Sequence, residues 1–210
     1  MPDLYAYAHL LAEHKRAHPA GDVMSILLSA PDTLSADEFE NMFWLFAVAG
    51  NETLRNGLPG GCIGLIAHPS AQSRLRSRPE LMPAAVDEML RWWTPVMTFR
   101  RTAAVNTVVG GQPVRRGDKV VVSFTSANRD EAVFTDPDTF DIGRTPNPHL
   151  AFGHGPHFCL GAHLARTQMN ALFTEVLART ASLVGAGQPS YLRSNFQRGV
   201  KSLPVAWRAR

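Results

Sequence analysis

The chain has 210 residues, 45% hydrophobic and 19% charged, with a formal net charge of +3. That is enough apolar material for one well-buried domain or two small ones, and it excludes a disordered tail. The charges are interspersed without a long basic run, which gives no argument for a nucleic-acid partner, although a basic patch could dock an acidic partner.

Cys62 and Cys159 are the only cysteines, so there is no disulfide framework, and a reducing cytoplasm fits. The opening stretch MPDLYAYAHLLAEHKRAHPA has neither the apolar core of a signal peptide nor a membrane-length apolar run. A soluble, cytoplasmic chain with no membrane anchor is expected. Apolar side chains at helical spacing predict a helix over residues 4–16 and a short one over residues 22–29, ended by Pro31. Ser35 and Glu38 form a capping box before DEFENMFWLFAVAGNETLRN, which reads as a long, largely buried helix over about residues 35–68. Phe43, Trp44 and Phe46 in it read as core or pocket wall. Beyond Thr53 the helix material is poor. Pro59 cannot donate to the carbonyl of Arg55, at about 3 kcal/mol in a helix interior, and Gly57, Gly60 and Gly61 cost about 1 kcal/mol each relative to alanine. A bend is therefore expected over residues 57–61.

A helix with proline in its first turn follows over about residues 83–93. Residues 96–122 change to short β-rich runs punctuated by Gly110-Gly111 and Gly117-Asp118, the pattern of a small antiparallel sheet. A short helix is expected over residues 126–134, then an irregular meander marked by Pro137, Pro146 and Pro148. A long helix over about residues 160–181 and a strand-like tail punctuated by Gly and Pro complete a mainly α chain with small antiparallel β-sheets.

Two stretches carry chemistry. In AFGHGPHFCLGAHLAR, residues 151–166, Cys159 is framed by Gly153, Gly155 and Gly161 directly before an amphipathic helix. It is expected to enter the first turn, where free N–H groups and the helix dipole favour a negative sulfur and lower its pKa. The glycines let the backbone lie against a flat ligand, Phe152 and Phe158 can wall the loop, and His157 can turn a donor toward an anionic edge. The bland alternative is a small buried hydrophobe. A zinc or redox-cysteine site is disfavoured, since no second cysteine is near and His154, His157 and His163 lack paired metal spacing. In AGNET, Ala49 and Gly50 are small, Thr53 lies one turn after Ala49 and can disturb its carbonyl, and Glu52 offers a carboxylate for proton relay.

The set Phe152, Gly155, His157, Cys159, Gly161 resembles the haem-binding signature of the cytochrome P450 superfamily, with His157 where many members carry arginine. By that resemblance the chain is a single truncated P450 domain over residues 1–210, the C-terminal half of the fold and of the soluble bacterial type. Cys159 is then the proximal thiolate ligand of haem b. AGNET resembles the oxygen-activation motif, with Glu52 as the acid and Thr53 as the alcohol, and Ala49 and Gly50 against the cofactor. Glu88 and Arg91, three apart and ordinarily a surface pair, would join Arg144 in a buried network that locks the meander holding the cysteine loop. Arg100 and His157 would contact the haem propionates, with Arg101 as runner-up for Arg100. Family members usually continue the oxygen-side helix without a proline at the position of Pro59.

The resemblance implies a monooxygenase that inserts one atom of dioxygen into a small apolar substrate (steroid, terpenoid or lipid-like), with electrons from a ferredoxin or flavoprotein. A half-length match also implies an exposed cleft, and with it two alternatives: a second chain completing the fold, or a catalytically weak remnant that binds haem loosely or scaffolds a partner.

Overall fold

The computed structural model describes residues 2–29 and 34–210. The chain divides into two compact units, residues 1–52 and 53–210.

The first unit holds α1 (Pro2–Ala17), α2 (Val23–Ser29) and the start of α3 (Ala36–Ala67). Asp22 caps α2 by accepting the Ser25 N–H at 3.1 Å. Pro31, expected to end α2, lies outside the described residues. The capping box at α3 forms reciprocally: the Ser35 N–H donates to Glu38 Oε2 at 2.8 Å, and the Glu38 N–H donates to Ser35 Oγ at 3.3 Å. Hydrogen bonds from Ser35 hold the Glu38 carboxyl below its ordinary value.

The expectation of a largely buried helix fails for this part of α3. Phe39 is its only buried residue before position 53, Phe43, Trp44 and Phe46 are half-buried, and Leu45 and Val48 are exposed. Residues 42–50 are apolar throughout, and α1 meets this part of α3 through Tyr7 against Phe43 and His9 against Glu40.

In the second unit α3 continues as helix without a break through residues 57–61, although these residues are poor helix material by themselves. Packing is the reason. A Cβ on Gly60 would fall 2.1 Å from Trp93 Cγ, one on Gly61 2.5 Å from Phe173 Cζ, and one on Gly64 3.1 Å from Phe140 Cζ. The glycines that weaken the helix in isolation admit the large side chains that hold it in place. The core joins Leu65, Val86, Met89, Met169 and Phe173. They come from α3, α5 (Met82–Trp93, after α4, Pro69–Ser77) and α7 (Ala162–Arg179). α5 carries Pro83 in its first turn.

Residues 96–122 form two antiparallel pairs rather than one sheet. β1 (Thr98–Thr102) pairs with β4 (Lys119–Ser123), and β2 (Thr107–Val109) with β3 (Gln112–Val114). Gly110 and Gly111, at φ +54° and +79°, make the tight turn between β2 and β3. β5 (Thr180–Gly185) pairs with β8 (Val205–Ala209), and β6 (Ser190–Tyr191) with β7 (Val200–Ser202). Buried Gln72 ties α4 to β5, its Nε2 donating to the Leu183 carbonyl at 2.8 Å and its Oε1 accepting the Leu183 N–H at 3.2 Å.

The helix expected over residues 126–134 is only the short α6 (Phe124–Ala127). α6 ends at Ala127 with Asn128 at its C-cap, and farther on the Asp130 carboxylate accepts the Ala132 N–H at 2.9 Å. The architecture is mainly α with small antiparallel sheets. Among the described residues no helix is long and apolar enough to cross a membrane.

Candidate active site

Glu88 and Arg91 are fully buried on α5 and Arg144 nearly so. Arg91 grips Glu88 with two prongs, Nε to Oε2 at 2.7 Å and Nη2 to Oε1 at 2.8 Å. Its remaining N–H groups reach the carbonyls of Asn128 at 2.7 Å, Pro137 at 2.8 Å and Thr139 at 3.1 Å. All five guanidinium donors are thereby used. Glu88 also accepts from Arg144 Nε at 3.2 Å, Asn147 Nδ2 at 3.2 Å and the Asp141 N–H at 2.9 Å. Arg144 in turn donates to the carbonyls of Thr135, Asp136 and Thr139. Glu88, Arg91 and Arg144 thus hold residues 135–141 by their backbone, and Glu88 holds Asn147 by its side chain. Asn128, missed by the sequence reading, carries the tie further: Nδ2 donates to Thr94 Oγ1 at 2.9 Å, and Oδ1 accepts the Leu150 N–H at 2.7 Å.

The cysteine loop follows directly. The Cys159 N–H donates to the Phe152 carbonyl at 2.9 Å, closing the loop across its base, and the Gly153 N–H donates to Leu150 at 2.9 Å. Gly153 and Gly155 take φ of +74° and +76°, which residues with a Cβ rarely adopt. A short 3₁₀ turn, Gly155–His157, lies between them and Cys159. Cys159 does not enter the first helical turn: α7 starts at Ala162 with Gly161 at the N-cap. The closure between residues 152 and 159 holds the Cys159 N–H, and a turn through residues 160 and 161 follows, in which the Cys159 carbonyl accepts the Ala162 N–H at 3.2 Å before α7 begins.

Cys159 is exposed, which removes the reading as a buried hydrophobe, and His157 and Gly161 are exposed beside it. Phe158 is 50% and Leu160 83% exposed. An accessible sulfur donor, a backbone bent by glycine and an apolar rim fit the thiolate side of a flat iron-bearing cofactor. Cys62 differs: burial pushes its thiol up to about 11, so it stays protonated at neutral pH.

Asp87, beside Glu88, was also missed. Burial alone would raise its carboxyl, but hydrogen bonds from His149 and Arg166 outweigh that and hold it below its ordinary value. No spacing rule could have found this set, because its members meet across 62 and 79 residues. On β1 both arginines are exposed. Arg101 folds back along its own strand, donating to the Arg100 carbonyl at 3.1 Å and lying 5.7 Å from the Phe99 ring. Ala49, Gly50 and Glu52 close the first unit and Thr53 opens the second, all within α3, with Ala49 and Gly50 exposed and Glu52 and Thr53 half-buried.

A family model for cytochrome P450 matches residues 7–182. The chain belongs to the cytochrome P450 family. It is 45% identical over 211 residues to a putative cytochrome P450 126 of Mycobacterium tuberculosis, covering 98% of this chain and 51% of the relative. It is 43% identical to a methyl-branched lipid omega-hydroxylase of Mycobacterium bovis, covering 98% and 49%. Among solved structures, P450BioI in complex with acyl carrier protein ligated to hexadec-9Z-enoic acid superposes with a TM-score of 0.94 at 37% identity, covering 98% of this chain and 53% of that one. The chain spans about half the length of the curated relatives it matches. Proteins of the P450 family bind haem b.

Proposed function

We propose that this chain forms the haem-thiolate part of a cytochrome P450 monooxygenase. The observation that carries the reading is Cys159, held accessible on a backbone-locked loop with an apolar rim. When bound, haem supplies the oxygen-binding and redox chemistry. Cys159 ligates its iron as thiolate, and Gly153, Gly155 and Gly161 let the loop lie flat against the ring. Phe152 backs the loop. His157 and Arg100 meet the carboxylate edge of the group, Arg100 rather than Arg101 because the latter is engaged along its own strand. Ala49 and Gly50 leave room on the oxygen side, and Glu52 and Thr53 hold and pass protons there. Glu88, Arg91 and Arg144 lock the segment that leads into the loop.

The substrate is apolar, of steroid, terpenoid or lipid-like type. This is supported by the relative named as a methyl-branched lipid omega-hydroxylase and by the fatty-acyl complex of P450BioI. A ferredoxin or flavoprotein supplies electrons, in the cytoplasm.

The deciding measurement is the carbon monoxide difference spectrum of the reduced, haem-reconstituted chain. A thiolate-type band is expected, lost in Cys159→Ala and kept in Cys62→Ala. A band indifferent to Cys159→Ala ends the assignment. In Thr53→Ala, reductant consumption should persist while product falls and peroxide rises, and unchanged coupling would remove Thr53 from its role.

A second reading, a chain that holds haem weakly or scaffolds a partner polypeptide, is favoured by the exposure of Leu45, Val121 and Leu160. Hemin titration of the monomer separates the two: tight stoichiometric binding with turnover supports the first, and weak binding rescued by a second chain supports the other.

A further inference from the structure

Two neighbouring carboxylates on α5 serve different segments. Glu88 holds Asp141, Arg144 and Asn147, whereas Asp87 faces the start of the cysteine loop. Asp87 Oδ1 accepts from Arg166 Nε on α7 at 2.7 Å and from His149 Nε2 at 3.2 Å. The His149 side chain is 2% exposed, and its Nδ1 accepts the Ala151 N–H at 3.2 Å. A ring nitrogen that accepts a hydrogen bond carries no proton, so these two partners assign the proton to Nε2, pointing at Asp87. The Phe152 ring meets two of these side chains, with the Arg166 guanidinium over it at 4.6 Å and the His149 ring 5.7 Å away. The Phe152 carbonyl is the acceptor for the Cys159 N–H. Among the described residues no other side-chain hydrogen bond reaches residues 151–161.

We propose that Asp87, His149 and Arg166 are positioning residues that set the Cys159 loop. Asp87 fixes the His149 tautomer so that Nδ1 is left to hold the Ala151 N–H. Arg166, anchored by the same carboxylate oxygen, presses Phe152 into the place where its carbonyl holds the Cys159 N–H. A histidine whose second nitrogen is fixed by a carboxylate is a familiar way to orient a ligand. Here the oriented element is the backbone that carries the ligand. The inference rests on the reading of Cys159 as a thiolate ligand, and none of the three residues touches the ligand itself.

The test uses His149→Ala, His149→Asn, whose amide oxygen can take the place of Nδ1, and Asp87→Asn. In the haem-free chain, amide hydrogen exchange at Ala151 and Cys159 should accelerate about tenfold in His149→Ala, the size of one lost net hydrogen bond. Exchange at Phe173 in the core should not change. His149→Asn should bring Ala151 back to within about threefold of the parent, and Asp87→Asn should give a smaller acceleration confined to the same amides. In the reconstituted protein the thiolate-type share of the ferrous carbonyl spectrum should fall in His149→Ala and recover in His149→Asn.

Unchanged exchange at Ala151 and Cys159, an acceleration spread equally to Phe173, or no recovery in His149→Asn would each overturn the proposal. Should His149→Ala not fold, Asp87→Asn decides by the same amides. A parent chain without any thiolate-type band defeats the assignment of Cys159 alone, and the exchange measurement still decides the positioning role.

Discussion

Glu88 and Cys159 sit at opposite extremes of burial. Glu88 is fully buried and accepts five hydrogen bonds, from Arg91, Arg144, Asn147 and the Asp141 backbone. Cys159 is exposed, and its loop is shaped by backbone bonds and two glycines at positive φ. A buried carboxylate is stable only while every partner is in place, so the network is rigid and intolerant of change. An exposed sulfur contributes little to folding and is free to serve a ligand. Placing the rigid region directly before the reactive one allows the loop to be precise without being buried.

Glu88→Ala tests the rigid half most severely. It leaves two arginines buried without their carboxylate, and a loss of about 3–5 kcal/mol is expected in urea unfolding. A loss within about 0.5 kcal/mol, the range of an innocuous surface change, would equate the pair with an ordinary helical ion pair. Gly60→Ala probes the packing around α3 at residues 57–61. With Trp93 Cγ 2.1 Å from the new Cβ, a destabilisation of about 1–3 kcal/mol is expected in the same assay.

Asp87 lies between the two extremes. Its carboxyl is depressed in the folded state, so its ionised form adds stability that is present above the ordinary value of 3.8 and is lost as pH falls through the lower folded value. The parent should therefore lose stability below about pH 4 more steeply than Asp87→Asn. Equal acid profiles for the two would show that the bonds to His149 and Arg166 do not favour the charged form. At the exposed end, Cys159→Ala should change stability by no more than about 0.5 kcal/mol, even as the thiolate-type spectrum disappears. A large loss of stability would mean that the sulfur is part of the scaffold after all.

Motif spacing carried much of the site into view. Gly153 and Gly155 sit where positive φ leaves few residue choices, whereas the spacing of Glu88 and Arg91 gave only an ordinary helical pair, and it was the family resemblance that joined them to Arg144 in a buried network. The capping box of Ser35 and Glu38 was legible from its local spacing. What could not be read depended on partners far along the chain. Asn147 and Asn128 are ordinary polar residues until the fold brings a buried acceptor or donor to them. Asp87, His149 and Arg166 have no mutual spacing to notice.

Local propensity also misread two elements. Residues 57–61 look like a helix breaker, yet they are helical because Trp93 and Phe173 fill the space their missing Cβ atoms leave. Cys159 looks like a first-turn residue, yet its backbone bond to Phe152 holds it before the helix. The sequence by itself determined the family, the mainly α class and the identity of the loop, because each is written in residues close together. Only the tertiary structure decided which carboxylate holds which segment, where α7 begins and how far α3 runs, because long-range packing and buried hydrogen bonds outweigh the propensities of a few residues.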